Sequence, residues 1–266
     1  MSRLETTFGR LKANADKALV TYIMAGDPTL HETEQLVIEL ERAGADVIEL
    51  GVPFSDPIAD GPVIQQAADR ALKSGTSLRG ILASVAHVRT MTQIPIVLMA
   101  YYNTIHAFGA ADFCREAVKA GVDGLIVPDM PPDEADPLTD PAGEAGLNLI
   151  FLLAPTSTAA RRALVAKRSR GFLYYVSLTG ITGARLHDVA GVADNVKKIK
   201  QQSRLPVMVG FGVATPEDAA RVAHVADGVI VGTAIVRLVE QYGQDPGMLE
   251  KVGAFVRSLK NAMQAA

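Results

Sequence analysis

A single acidic residue, Glu49, lies inside an otherwise apolar run, Val47-Ile48-Glu49-Leu50-Gly51. If this run is a β-strand, its side chains alternate between two faces, and Val47, Glu49 and Gly51 share one of them. A carboxyl group buried without a cation has a raised pKa, which suits a residue that moves protons near neutral pH. The alternative is that Glu49 faces the covering helices and pairs with an arginine. The cost of burying an acid in an apolar strand favours the catalytic interpretation.

A second carboxylate, Asp60, lies in the long loop that follows this run, at residues 53–62, PFSDPIADGP. Its neighbours Ala59 and Gly61 are small, which allows a ligand to come close to the backbone. The Asp-Gly-Pro sequence is equally typical of an ordinary turn. Spacing alone therefore leaves Asp60 open as a catalytic residue or a turn residue.

Three glycine-containing segments could hold a phosphate group. Residues 210–212 end one apolar run, Gly232 and Thr233 end the last one, and residues 179–184 form a further loop. Phosphate-binding (β/α)8 barrels use the loops after strands seven and eight, together with the N-terminus of a short extra helix. Gly212, Gly232 and Thr233 would supply backbone N–H groups, and the loop at 179–184 could close over the ligand on its glycines. Glycines also end strands for structural reasons, but these positions favour a phosphate site.

Two tyrosines complete the candidate site. Tyr22 lies in the first apolar run and Tyr174 in the sixth. Each could line a flat aromatic pocket or belong to the barrel core, and the sequence leaves both interpretations open.

Other kinds of catalytic centre find little support in the sequence. Its five histidines include no pair at metal-ligand spacing, which argues against a metal site. Cys114 is expected to pack within a helix rather than act as a nucleophile. No lysine ends a predicted strand, which argues against a Schiff-base aldolase.

Eight short apolar runs must position these residues. They are Ala18–Ala25, Asp46–Gly51, Pro95–Tyr101, Asp123–Pro128, Asn148–Ala154, Phe172–Ser177, Pro206–Phe211 and Asp227–Gly232. Most are continuously apolar, as parallel strands covered on both faces are, and segments with helical periodicity separate them. The pattern predicts one (β/α)8 barrel (TIM barrel) domain over residues 1–266, with an extra N-terminal helix and a phosphate-binding helix. A doubly wound open sheet is the alternative, although no Gly-x-Gly-x-x-Gly follows the first run.

The composition of the 266-residue chain is that of a globular protein. Hydrophobic residues make up 48% and charged residues 21%, which excludes disordered and collagen-like classes. The 26 Lys and Arg residues against 29 Asp and Glu give a net charge of −3, which argues against a nucleic-acid partner. One cysteine excludes an intramolecular disulfide, and the sequence shows no apolar leader or membrane-length run. We therefore expect a soluble cytoplasmic protein.

The segment at residues 48–62, IELGVPFSDPIADGP, resembles the signature of the tryptophan synthase alpha subunit family. The resemblance continues through Thr21–Pro28, Tyr102-Asn103, Val127–Asp129, Ser177–Gly183, Gly210–Gly212 and Gly232–Val236, which spans nearly the whole chain. It implies a (β/α)8 barrel that cleaves indole-3-glycerol phosphate to indole and glyceraldehyde 3-phosphate by a retro-aldol reaction. It also implies that this chain needs neither a metal nor an organic cofactor.

The resemblance implies roles for particular residues. Glu49 matches the family's catalytic glutamate, which moves protons at C3 of the indole ring and at the glycerol hydroxyl. Asp60 matches its catalytic aspartate, which hydrogen-bonds the indole N–H. Tyr174 matches a tyrosine near the active site, and Leu178 lies where some members carry arginine. With Tyr22 from the first run and Thr182 from the glycine loop, the substrate-binding candidates are Tyr22, Tyr174, Thr182, Gly183, Phe211, Gly212, Gly232 and Thr233.

The family pairs with a beta subunit, which holds pyridoxal phosphate and consumes indole, in an alpha-beta-beta-alpha complex. The matching contact surface comprises the loop 53–60, Tyr102-Asn103 and Pro128–Pro132, with an apolar patch expected at exposed Pro53, Phe54 and Pro57. The partner-interface candidates are Pro53, Asp56, Pro57, Tyr102 and Asn103. Alternatives are a stand-alone indole-producing lyase and a non-catalytic activator of the beta subunit. Another phosphosugar isomerase or synthase would need a Cys/Asp pair or a strand-end lysine.

Overall fold

The computed structural model describes residues 1–176, 189–210 and 212–265. Within these residues nine parallel strands form one sheet with the order β5-β4-β3-β2-β1-β9-β8-β7-β6. The strands are β1 (Ala18–Met24), β2 (Val47–Gly51), β3 (Ile96–Met99), β4 (Gly124–Ile126), β5 (Asn148–Ile150), β6 (Leu152–Leu153), β7 (Leu173–Val176), β8 (Val207–Gly210) and β9 (Gly228–Val231). The two edge strands, β5 and β6, are consecutive in sequence, so the sheet curls into a nearly closed barrel.

Helices separate most of the strands, and all but the first cover the outside of the barrel. They are α1 (Arg3–Ala13), α2 (Leu30–Arg42), α3 (Pro62–Lys73), α4 (Leu78–Val88), α5 (Tyr102–Phe108), α6 (Ala110–Ala120), α7 (Asp136–Ala145), α8 (Ala159–Arg168), α9 (Val189–Lys200), α10 (Pro216–Ala223), α11 (Thr233–Tyr242) and α12 (Met248–Gln264), with a 3₁₀ turn at Pro132–Glu134. The predicted (β/α)8 architecture is confirmed. None of the helices in the described residues combines the length and apolar composition that a membrane span requires.

The fifth predicted strand is split in two at Phe151. The Phe151 N–H donates to the Ser169 hydroxyl at 3.3 Å rather than to a neighbouring strand. The piece before this residue pairs with β4 and the piece after it pairs with β7. One predicted strand therefore appears as the two edges of the sheet.

The expected N-terminal helix closes the bottom of the barrel. Helix α1 begins with a capping box, in which Ser2 and Glu5 bond each other's backbone N–H groups. Its buried residue Leu4 packs inside the barrel with Val47 and Phe172. This apolar plug fills the N-terminal end, so that polar chemistry is left to the opposite end.

Buried aspartates fix the strands at the same N-terminal end. The carboxylate of Asp46 accepts bonds from the Leu19 N–H at 2.9 Å and from the Lys260 ammonium at 2.7 Å. The carboxylate of Asp123 accepts from the Ile96 N–H at 2.9 Å. These bonds join β1 to the residue preceding β2 and β3 to the residue preceding β4, and so fix neighbouring strands relative to each other.

Candidate active site

Glu49 points towards the barrel axis. On the same strand, Val47 belongs to the inner apolar cluster, whereas Ile48 and Leu50 pack in the outer layer against the helices. Glu49 therefore lies on the inner face, opposite Tyr22 of β1 in the strand register. No arginine pairs with it among the described residues, so the helix-facing alternative does not apply here.

Burial raises the pKa of the Glu49 carboxyl group. The residue is 1% exposed, and both carboxyl oxygens lack a hydrogen-bond partner within the described part of the chain. Burial, together with repulsion from Asp60, raises the pKa of Glu49 from 4.5 to about 8. Glu49 is therefore mostly protonated at neutral pH and has a proton to donate.

Asp60 lies on the loop between β2 and α3, just before the Gly61 that caps α3. Burial raises its pKa to about 6, and this rise is opposed by a hydrogen bond from the Tyr101 hydroxyl. That hydroxyl donates to Asp60 Oδ2 at 3.1 Å and accepts from the Ala59 N–H at 2.9 Å. At neutral pH Asp60 is thus mostly ionised while Glu49 is mostly neutral. Two carboxyl groups with separated pKa values are a suitable acid and charge-stabilising pair.

Tyr101 is a site residue that the sequence did not single out. It lies two residues after the end of β3, and its ring stacks on Phe54 with the centroids 5.2 Å apart. A polar side chain at the C-terminal end of a barrel strand is the signal that could have identified it, because active sites lie at that end. Its two bonds hold the loop residues Ala59 and Asp60 against the barrel.

Replacing Tyr101 with phenylalanine should weaken this arrangement without emptying the site. Loss of the donor raises the pKa of Asp60 above about 6, because the hydrogen bond now lowers it. We expect the acid limb of the pH profile of kcat/KM to move to higher pH, and activity at pH 7 to fall roughly tenfold. Tyr102→Phe is the matched control, since the Tyr102 ring lies against His106 instead. Superimposable profiles for Tyr101→Phe and wild type would contradict the role assigned to this hydroxyl.

Tyr22 and Tyr174 both lie in the barrel interior, and each rests against a glycine. A Cβ atom on Gly51 would lie 2.1 Å from the Tyr22 hydroxyl, and one on Gly210 would lie 2.7 Å from the Tyr174 hydroxyl. Burial raises the pKa of both tyrosines, so their hydroxyls stay neutral. They are packed core residues, and they lie close enough to Glu49 for its negative charge, when ionised, to raise their pKa further.

The phosphate candidates within the described residues lie at the ends of β8 and β9. Gly212 has a φ of 81°, a left-handed conformation that favours glycine. Gly232 precedes α11 and provides no side-chain cap, so the first-turn N–H groups of the helix, beginning at Thr233, are not capped by it. A Cβ atom on Gly232 would come within 3.2 Å of Tyr22. Thr182, Gly183 and Phe211, together with Leu178, lie outside the described residues.

Some of the residues predicted to contact a partner are less exposed in the structure than the sequence suggested. Pro53 is buried, because the backbone at Val52 still bonds β3, so the expectation of an exposed proline there is wrong. Phe54 is half-buried against Tyr101. Asp56 and Asn103 are exposed, and Pro57 and Tyr102 are half-exposed. The sequence missed Ile58, which is 85% exposed at the tip of the loop.

Cys114 and the potential metal ligands show no sign of a catalytic role in the described residues. Cys114 is buried in α6, and burial raises the pKa of its thiol to about 11. Within the described residues no three His, Cys, Asp or Glu side chains are grouped as metal ligands. These observations leave Glu49 and Asp60 as the central feature of the barrel mouth.

Comparison with known proteins points to one family. The family model described as tryptophan synthase alpha chain matches residues 8–264. A tryptophan synthase alpha chain from Geobacter sp. (strain M21) is 52% identical over 263 residues, which cover 99% of this chain and 98% of the relative. The corresponding chain from Citrifermentans bemidjiense is 53% identical, with 99% and 98% covered.

Solved structures agree with this result. Tryptophan synthase subunit alpha from Legionella pneumophila str. Paris superimposes with a TM-score of 0.93 at 41% identity, with 100% of both chains covered. A tryptophan synthase structure from M. tuberculosis, in its aminoacrylate-bound form, gives a TM-score of 0.88 at 35% identity, with 99% of this chain and 100% of the other covered. The chain belongs to the tryptophan synthase alpha chain family.

Proposed function

We propose that Glu49 and Asp60 carry out the alpha reaction of this family, the retro-aldol cleavage of indole-3-glycerol phosphate to indole and glyceraldehyde 3-phosphate. The observation that carries the proposal is the pair of carboxyl groups in the barrel mouth. Glu49 is buried with a pKa of about 8, and Asp60 has a pKa of about 6. This separation provides a proton donor and a carboxylate at the same pH.

The reaction can be written with Glu49 as the only group that gains and loses a proton. Protonated Glu49 donates to C3 of the indole ring, and the ring nitrogen becomes positively charged. The Asp60 carboxylate accepts a hydrogen bond from the ring N–H and stabilises that charge. Glu49, now ionised in an apolar setting, is a strong base that takes the proton from the glycerol hydroxyl. The C–C bond electrons return to the ring, the hydroxyl carbon becomes the aldehyde, and Glu49 is again protonated.

The phosphate end of the substrate is assigned to the backbone at the ends of β8 and β9. N–H groups at Gly212, Gly232 and Thr233 would bind the anion, assisted by the start of α11. Thr182, Gly183 and Phe211 belong to the same proposed set. Tyr22 and Tyr174 would form the wall between this end and Glu49. No metal or organic cofactor enters the step within this chain.

The purified chain tests this proposal directly. It should release indole and glyceraldehyde 3-phosphate in equal amounts from indole-3-glycerol phosphate. Indole-3-glycerol without the phosphate should be a much poorer substrate, because it lacks the anion that orients the ring. Absence of both products, with or without added beta subunit, would identify a non-catalytic activator. A rate that does not rise on titration with beta subunit would identify a stand-alone lyase.

We also propose that the chain works in an alpha-beta-beta-alpha complex, with pyridoxal phosphate in the beta subunit, which receives indole. The contact surface would include Pro53, Asp56, Pro57, Tyr102 and Asn103. In support, the same loop exposes Ile58 to solvent and contains Asp60 two residues later. A partner that covers this loop could therefore alter the position of Asp60.

We also propose a cytoplasmic location, because a reducing compartment suits a chain with one cysteine.

Ile58→Ser tests this surface. Burying a large aliphatic side chain stabilises a contact by about 1.5–3 kcal/mol, so the affinity for the beta subunit should fall roughly tenfold or more. Isothermal titration calorimetry with purified beta subunit measures the change. Met91→Ser is the matched control, because Met91 is 54% exposed and precedes β3 at the opposite end of the barrel. Equal affinities for wild type and Ile58→Ser would remove this loop from the proposed interface.

A further inference from the structure

One arginine joins the two helices that flank the candidate site. Arg70 lies on α3, the helix that begins just after Asp60. Its Nε and Nη2 donate to the two carboxylate oxygens of Asp27 at 2.9 and 2.8 Å, and its Nη1 donates to Glu240 at 2.9 Å. Glu240 lies on α11, the helix that begins at Thr233. A single guanidinium thus links the segment after β1 with helices α3 and α11.

The geometry of this fork is restrictive. Both arms to Asp27 form a planar bidentate pair, which fixes direction as well as distance. Asp27 is 3% exposed, so its carboxylate depends on this cation for compensation. The third arm then sets where Glu240, and with it α11, lies relative to α3.

The apolar contact between the helices adds to the same restraint. Ile64 and Ala68 of α3 belong to one buried cluster with Val236 of α11 and with Tyr22. Arg70 is eight residues from the start of α3, and Glu240 is seven residues from the start of α11. At about 1.5 Å per residue, the fork lies about 12 Å along α3 and about 10.5 Å along α11 from the ends nearest the site.

We infer that Arg70 is a positioning residue that sets the spacing between Asp60 and the phosphate-binding end of the site. This inference rests on the proposed function, because only a ligand that reaches both ends depends on that spacing. The substrate has this form, with an indole ring at one end and a phosphate at the other. Neither fragment alone spans the two helices.

The Glu240 arm separates positioning from folding. Arg70 and Glu240 are 31% and 41% exposed, and surface ion pairs contribute little to stability. Glu240→Ala therefore leaves the buried Arg70–Asp27 pair in place while removing the polar link from Arg70 to α11. Arg70→Lys is the complementary variant, because an ammonium keeps the charge but cannot form the three-armed fork.

The experiment compares three probes by calorimetry: indole, glycerol 3-phosphate, and a non-cleavable compound in which an alkyl chain joins indole to phosphate. For Glu240→Ala and Arg70→Lys we expect the Kd of the joined compound to rise about tenfold, while the Kd values of both fragments stay within about twofold of wild type. Glu39→Ala is the control, since it breaks an interhelical Arg–Glu pair between α12 and α2.

Two results would overturn the inference. In the first, the joined compound binds both variants as tightly as it binds wild type. In the second, all three probes weaken together, which indicates a general loss of structure rather than a change in spacing. A wild-type chain that binds the joined compound no better than the fragments would refute the proposed function itself, and the inference with it.

Discussion

The Glu49→Gln variant is expected to cleave indole-3-glycerol phosphate roughly a thousandfold more slowly than wild type, with a smaller change in KM. Glutamine keeps the size and polarity of the side chain but has no proton to donate to C3 and cannot accept one from the hydroxyl. General acid–base catalysis contributes about 10²–10⁴-fold, and here one group serves both transfers. Steady-state release of indole measures the effect.

A matched substitution controls for the loss of a carboxyl group. Glu34→Gln removes a carboxyl group that bonds His87 outside the barrel, and it should retain wild-type activity. Equal rates for wild type and Glu49→Gln would end the catalytic assignment of Glu49.

Glu49→Gln should also change how folding stability depends on pH. The folded-state pKa of Glu49 is raised from 4.5 to about 8, so the folded chain retains a proton that the unfolded chain releases in this range. Stability from the wild-type carboxyl is therefore fully present below pH 4.5 and is lost as pH rises through about 8. The free energy of unfolding of wild type, relative to Glu49→Gln, should fall across this window and then level off. Urea denaturation at a series of pH values measures it, and a constant difference would contradict the raised pKa.

The second large loss of activity is expected for the Asp60→Asn variant. We expect kcat to fall about a hundredfold, because the neutral amide no longer stabilises the positive charge on the protonated ring. Asp60 is also the second cause, after burial, of the raised pKa of Glu49. Its removal should lower the Glu49 pKa and move the alkaline limb of the pH profile to lower pH.

The pH profile of the wild type provides the reference for this test. Activity needs ionised Asp60 and protonated Glu49, so kcat/KM should be bell-shaped, with limbs near the apparent pKa values of about 6 and about 8. Asp56→Asn, in the same loop but exposed, is the matched control and should keep both limbs. An Asp60→Asn enzyme with wild-type kcat and an unmoved alkaline limb would exclude the electrostatic role.

The barrel and the orientation of Glu49 were accessible from sequence because both depend on short-range periodicity. Continuous apolar runs indicate strands covered on both faces, and a period of two places Glu49 with Val47 on one face. The break in the fifth strand was not accessible. It depends on a bond from Phe151 to Ser169, a residue that lies 18 positions away in the chain.

The surroundings of Asp60 show the same limit. Its neighbours allowed either a turn or a catalytic residue, and the contact that fixes the side chain comes from Tyr101, 41 residues further on. Burial of Pro53 was mispredicted because loop composition does not reveal that the β2 backbone continues to bond β3 at Val52. Local patterns predict which residues a strand presents, whereas the partners of each residue depend on the closed barrel.

A carbon-13 NMR titration of the side-chain carboxyl carbons, with Glu49 assigned by comparison with Glu49→Gln, tests most directly whether a neutral acid occupies the barrel mouth. The predicted result is one glutamate resonance that titrates near pH 8, well separated from the others. A Glu49 resonance that titrates near pH 4.5 would mean that the carboxyl is ionised at neutral pH, and the proton transfers assigned to it would not be possible as described.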